Sequence, residues 1–177
     1  MRKVVLGVVL VCMLAGFVSG CSGQTAPKDE EITTAALNGT YKLGDITVTL
    51  VNGKFEKEAA PGSATKARVT VWGKPVLGDV NGDGWKEAVL VLVHEPGGTG
   101  TFYYVVVLGK NKSSQKYTST NAVLLGDRIA PKNLSIAGGT ITANYSDRKP
   151  NEPMTTQPSV DTAKKLSVTG ETLKEVK

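Results

Sequence analysis

Two short apolar runs, AVLVLV at 88–93 and FYYVVVL at 102–108, constrain the fold more than any other feature of the chain. Both are rich in β-branched and aromatic residues and too short for a buried helix, so they read as strands. Successive side chains of a strand point to opposite faces, so a strand that is apolar at nearly every position has both faces covered. These two are expected at the centre of a sheet, with apolar layers on either side.

The rest of the chain beyond residue 36 reads as shorter strands separated by glycine-containing turns. ITVTL at 46–50 alternates, Asn52-Gly53 follows, and KFE at 54–56 resumes. That dipeptide tolerates positive φ at both central positions of a tight turn, so the stretch predicts a hairpin. LSI, Gly138-Gly139 and TIT repeat the device at 134–142, and LSV, Thr169-Gly170 and ETL repeat it at 166–173. Residues 67–72 and 122–125 add further strands. No window has a sustained helical period, and no repeat of 20 to 50 residues stands out. The expectation is one all-β domain over 36–177, made of antiparallel hairpins in a sandwich or an open barrel. Pro150, Pro153 and Pro158 interrupt residues 147–159, which predicts a long extended loop.

The start of the chain has a different character. Arg2 and Lys3 precede an apolar run at 4–18, which ends in Ser19-Gly20-Cys21. That order is a secretory signal, and the run is shorter than the roughly 20 residues a spanning helix needs. Val18-Ser19-Gly20-Cys21 resembles the bacterial lipobox. The resemblance implies cleavage after residue 20, acylation of Cys21 and anchoring in the bacterial cell envelope, at the outer membrane if the organism has two membranes. Several acyl chains on one residue hold where a single chain does not. Residues 21–35 are then expected to be a flexible tether.

Cys12 would leave with the signal and Cys21 would carry lipid, so no disulfide framework is available. Removing residues 1–20 leaves 157 residues, enough for one hydrophobic core. Two of the five net positive charges leave with Arg2 and Lys3, which makes +3. The remaining lysines are scattered, an arrangement that argues against nucleic acid as a partner.

Residues 78–92, GDVNGDGWKEAVLVL, crowd acids ahead of the first central strand. Asp79, Asn81, Asp83 and Glu87 fall at positions one, three, five and nine of a loop in which Gly84 stands at six. Oxygens on alternate residues of a tight turn converge, and glycine at position six permits the left-handed backbone that aims the Trp85 carbonyl inward. Four side chains, that carbonyl and a water supply the six or seven hard oxygens that suit calcium. Carboxylates about 5 Å apart repel by roughly 3 kcal/mol at an effective dielectric near 20, so three of them favour a cation. An EF-hand would need a bidentate acid at position twelve, where Leu90 stands. D-x-N-x-D-G-x-x-E running into a strand instead resembles the calcium loops of integrin-type FG-GAP repeats. Here the loop occurs once, so no propeller of tandem blades is implied.

Other candidates are weaker. His94 is the only histidine and no G-x-S-x-G elbow occurs, which argues against transition-metal and serine-hydrolase chemistry. Gly97-Gly98-Thr99-Gly100 lacks the following Lys-Ser/Thr of a phosphate loop and lies between strands, so it reads as a hairpin connection. Asp127-Arg128 and Asp147-Arg148 read as pairs that tie loops together. Over its mature length, with TFYYVVVL, NAVLLGDRI and DRKPNEPMTT as the telling stretches, the chain resembles small bacterial envelope lipoproteins of unassigned role.

The expected function is that of a lipid-anchored, calcium-binding envelope protein without catalysis of its own. In this reading Cys21 is lipidated and the ion, held by Asp79, Asn81, Asp83, Trp85 and Glu87, is structural. The membrane and an envelope protein or glycan are the expected partners. The alternatives are a hydrolase of envelope polymers using Asp147 and Glu152 as acid and base, and an inhibitor or partner-binding module that presents the 147–159 loop.

Overall fold

The computed structural model describes residues 25–176. In chain order they form α1 (Asp29–Leu37), β1 (Thr40–Leu43), β2 (Ile46–Thr49), β3 (Lys54–Glu58), β4 (Lys66–Gly78), β5 (Glu87–Glu95) and β6 (Phe102–Lys110). β7 (Tyr117–Ser119), β8 (Val123–Asp127), β9 (Ala130–Ala137), β10 (Thr140–Asp147), β11 (Val160–Thr169) and β12 (Thr172–Glu175) complete the domain. The expected all-β class holds: every named strand pairing is antiparallel, and no sheet closes into a barrel.

The main sheet runs β3-β4-β5-β6-β7, with β8 also paired to β6, so the two apolar runs lie at its centre. Their alternate residues feed two different cores. Ala88, Leu90, Leu92, Val106 and Leu108 pack on one face with α1, β1 and β2. Val89, Val91, Val105 and Val107 pack on the other with the sheet β12-β11-β10-β9. The result is three layers, which explains why these strands carry no polar alternation. Tyr104 and Tyr103 follow the same rule, one at the edge of each core.

Three corrections follow. The expected tether over 21–35 is helix from Asp29 onward, and α1 buries Ile32 and Ala36 completely. Its first turn carries Asp29, Glu30 and Glu31, favourable at the positive end of the helix dipole. The Asn52-Gly53 turn forms, with φ of 50° and 78° and one bridge from Val51 to Lys54, but it does not join a hairpin. β2 pairs back onto β1 through Gly44-Asp45, while β3 pairs forward onto β4. The turn receives the end of α1 instead: Gly53 N–H donates to the Leu37 carbonyl (2.6 Å), and Asn52 N–H donates to Asn38 Oδ1 (3.0 Å). In the last hairpin Thr169 pairs with Thr172, so the turn residues are Gly170 and Glu171, one place later than expected. The Gly138-Gly139 hairpin between β9 and β10 forms as read, with positive φ at both glycines.

Residues 148–159 leave and rejoin the sheet at the paired Asp147 and Val160, which closes them into an Ω-type excursion. Arg148 ties it down, donating from Nε to the Thr156 carbonyl (2.6 Å) and from Nη1 to the Arg128 carbonyl (3.0 Å). Arg128 pairs with its neighbour Asp127 at 3.1 Å. Arg148 thus ties the excursion down, through backbone carbonyls rather than an ion pair with Asp147, whereas the Arg128 guanidinium reaches only its neighbour and ties no loop.

Candidate acid loop at the entry to the central strand

The connection from β4 to β5 is short and wound tightly, and it cannot form without glycine. Gly82 and Gly84 have φ of 78° and 84°, where an L side chain is strained, and nothing lies within 4 Å of a Cβ built at either. Backbone conformation alone therefore selects glycine at both places. Gly84 is the position-six glycine of the sequence reading.

Each short polar side chain of the loop accepts an N–H from a residue a little further on. Asp79 takes two, Gly82 N–H on Oδ1 (2.7 Å) and Gly84 N–H on Oδ2 (2.8 Å). Asn81 Oδ1 accepts Asp83 N–H (2.8 Å), and Asp83 Oδ1 accepts Trp85 N–H (2.7 Å). Burial would raise the Asp79 carboxyl, but the N–H groups of Gly84 and Gly82 outweigh it and hold the group below its ordinary range.

Glu87, the first residue of β5, closes the loop from behind. It is 3% exposed; Oε2 accepts Val80 N–H (3.0 Å) and Oε1 accepts Asn81 Nδ2–H (3.1 Å). Gly109 makes room for it, since a Cβ there would stand 2.9 Å from Glu87 Cγ. Burial pushes the Glu87 carboxyl up to about 7, and the charges of Asp83 and Asp79 push the same way against the Val80 N–H. Asn81, Asp83 and Glu87 line a cavity of about 320 Å³, which Lys112, Thr118 and Glu171 also line.

The structure thus brings Asp79, Asn81, Asp83 and Glu87 together in one hydrogen-bonded loop, with Trp85 turned into the protein and 8% exposed. As it stands, the carboxylates grip N–H groups, and among the described residues no group of three or more His, Cys, Asp or Glu is arranged to hold a metal ion. The donor set is of the kind a hard divalent cation takes, since all are oxygens and three are carboxylates. Lys86, which the sequence puts beside the acids, reaches away to Asp29 of α1 at 2.8 Å. The cation in contact is Lys112, 3.6 Å from Asp83 Oδ1, a residue whose role no local sequence signal gave away.

The other candidates have structural roles here. His94 packs beside Phe102, with 6.3 Å between ring centroids, and burial lowers its pKa. Asp147 Oδ1 accepts Arg148 N–H (2.7 Å) and Glu152 accepts Lys149 N–H (2.9 Å), each carboxyl closing a local turn. Neither lines the cavity of about 370 Å³ beneath the excursion. Cys21 and the signal lie outside the described residues, of which no helix is long and apolar enough to cross a membrane. The chain matches no protein-family model, no curated protein and no solved structure.

Proposed function

We propose that this is a lipid-anchored, calcium-binding protein of the bacterial cell envelope that acts by binding or support rather than by catalysis. The observation that carries the calcium part is the single hydrogen-bonded loop that unites Asp79, Asn81, Asp83 and Glu87 at the entry to β5. A hard cation there satisfies carboxylates that otherwise repel one another and retain a proton on Glu87. The ion would pin the start of the central strand and so serve the fold, with an envelope protein or glycan as the partner. The order of charge, apolar run and Cys21 supports the anchor.

Calorimetric titration with calcium and thermal melting test the site. Affinity should fall near the roughly 10⁻⁴ to 10⁻³ M of extracellular modules. At one hundred times the dissociation constant, linkage adds about 2.7 kcal/mol of stability, and Asp83→Ala should abolish most of that gain. Binding heat and melting temperature that do not respond to millimolar calcium would reduce residues 79–87 to a capped turn.

A further inference from the structure

We infer that the cavity beneath the 148–159 excursion binds a carboxylate, of the kind that ends a peptide, through Arg128 and Arg148. None of the residues involved belongs to the acid loop or to the anchor, so the inference stands apart from both. The two Asp-Arg pairs of the chain, 20 residues apart in sequence, meet at this place. Both arginines line the cavity of about 370 Å³, whereas Asp127 and Asp147 do not, and among the described residues no acidic side chain does. The charges on its wall are therefore positive, which selects an anion.

The two guanidinium groups are held in place without being used up. Arg148 spends Nε and Nη1 on the carbonyls of Thr156 and Arg128, and Arg128 spends Nε and Nη2 on Asp127 at 3.3 and 3.1 Å. Nη2 of Arg148 and Nη1 of Arg128 have no protein acceptor among the described residues. A guanidinium presents its N–H groups as a rigid planar fork, the shape that matches a carboxylate. Arg128 is also strained: its φ is 51°, fixed by its N–H donating to the Thr101 carbonyl (2.6 Å) and its carbonyl accepting from Arg148. Glycine would adopt that backbone freely, so local folding does not account for an arginine there. A strained residue on the wall of a cavity is better explained by what the cavity holds.

Charge and lining narrow the anion to a class. Asp127 compensates Arg128 through their ion pair, while the Asp147 carboxylate turns to the Arg148 backbone N–H (2.7 Å) and leaves that guanidinium bonded to neutral carbonyls. One uncompensated charge matches a carboxylate; a phosphate dianion would bring a second negative charge that the wall does not balance. Tyr103, Ile129 and Met154 add apolar surface, and Met154 is 41% exposed, while Thr101, Thr155 and Gln157 add hydrogen-bonding groups. That mixture suits a body with amide groups and an apolar side chain, which is the end of a peptide. The volume lies at the small end of ligand pockets and fits a few residues rather than a long acyl chain.

The test titrates N-acetyl-alanyl-leucine, as the free acid and as its C-terminal amide, into the wild type, Arg128→Gly and Lys149→Met, with inorganic phosphate as a third titrant. Backbone amide and arginine Nε–H signals in NMR spectra report binding. The acid should shift the Nε–H signals of Arg128 and Arg148 and the amide signal of Thr101, and the amidated peptide should leave all three in place. Arg128→Gly should bind the acid about ten- to a hundredfold more weakly, the loss expected for one charge-assisted pair. It should nevertheless melt no lower than the wild type, because glycine relaxes the positive φ. Lys149→Met removes a nearby charge that does not line the cavity and should bind like the wild type. Equal shifts from acid and amide, no shift from any titrant, or full binding by Arg128→Gly would each overturn the inference. Phosphate binding without peptide binding overturns the carboxylate and leaves a cavity for another anion.

Discussion

Glu87 is the residue on which the loop and the core meet. It begins a strand buried on both faces, yet its carboxyl turns back to hold the loop through Val80 and Asn81. Burial first, and then the charges of Asp83 and Asp79, raise its pKa from about 4.5 to about 7. The folded protein therefore binds this proton more tightly than the unfolded chain does. The stability it contributes is fully present below about pH 4.5 and is lost as the pH rises through about 7. At 1.36 kcal/mol per pKa unit the loss is of order 3 kcal/mol. Urea unfolding in chelator should thus show the wild type weakening between pH 5 and pH 8, with a flatter profile in Glu87→Gln. Parallel profiles for the two proteins would assign the slope to another group. Calcium should flatten the wild-type profile as well, because an ion at the loop favours the ionised carboxylate.

At the scale of elements, the junction between α1 and the Asn52-Gly53 turn shows what local sequence carries and what it omits. A Cβ at residue 53 would stand 3.2 Å from Leu37 Cδ2, and φ there is 78°. Gly44, in the turn between β1 and β2, shares the positive φ, at 59°, but has nothing within 4 Å. Gly44→Ala should therefore cost about 1 kcal/mol from backbone strain alone, and Gly53→Ala about 2 kcal/mol because the helix must also give way. Denaturant midpoints measure the difference; equal losses would mean that the turn does not seat the helix. The turn itself was legible in the sequence, because Asn-Gly specifies its own backbone. Its use was not, because which strands pair across it is decided by contacts with α1 and the sheet. α1 was illegible for a related reason: DEEITTAAL buries only Ile32 and Ala36, and its helical state rests on packing against β4, β5 and β6 rather than on propensity. The central strands were the easiest to read, since burial on both faces writes itself into a continuous apolar run. The members of the acid loop were equally plain from spacing, while Lys112 was hidden because its contact joins distant parts of the chain.

For the whole molecule, the position of α1 ties the proposed anchor to the proposed ion site. Only residues 22–28 separate Cys21 from the first residue of α1, and the eight steps from one to the other span at most about 29 Å. The first turn of that helix is held by ion pairs from Asp29 to Lys86, inside the acid loop, and from Glu31 to Lys110, at the end of β6. If Cys21 carries lipid, the acid loop lies near the root of the anchor, and the three-layered domain projects from the membrane with that end first. Acylation at Cys21, as proposed, and folding would nevertheless draw on separate residues. Cys21 lies ahead of α1, whereas among the described residues the core is built from residue 32 onward. Cys21→Ser should therefore move the protein from the membrane to the soluble fraction while leaving its melting temperature and its calcium titration as in the wild type. Membrane recovery of the variant at the wild-type level would count against the lipid anchor, and a drop in melting temperature would show that anchor and fold are coupled in a way these contacts do not provide.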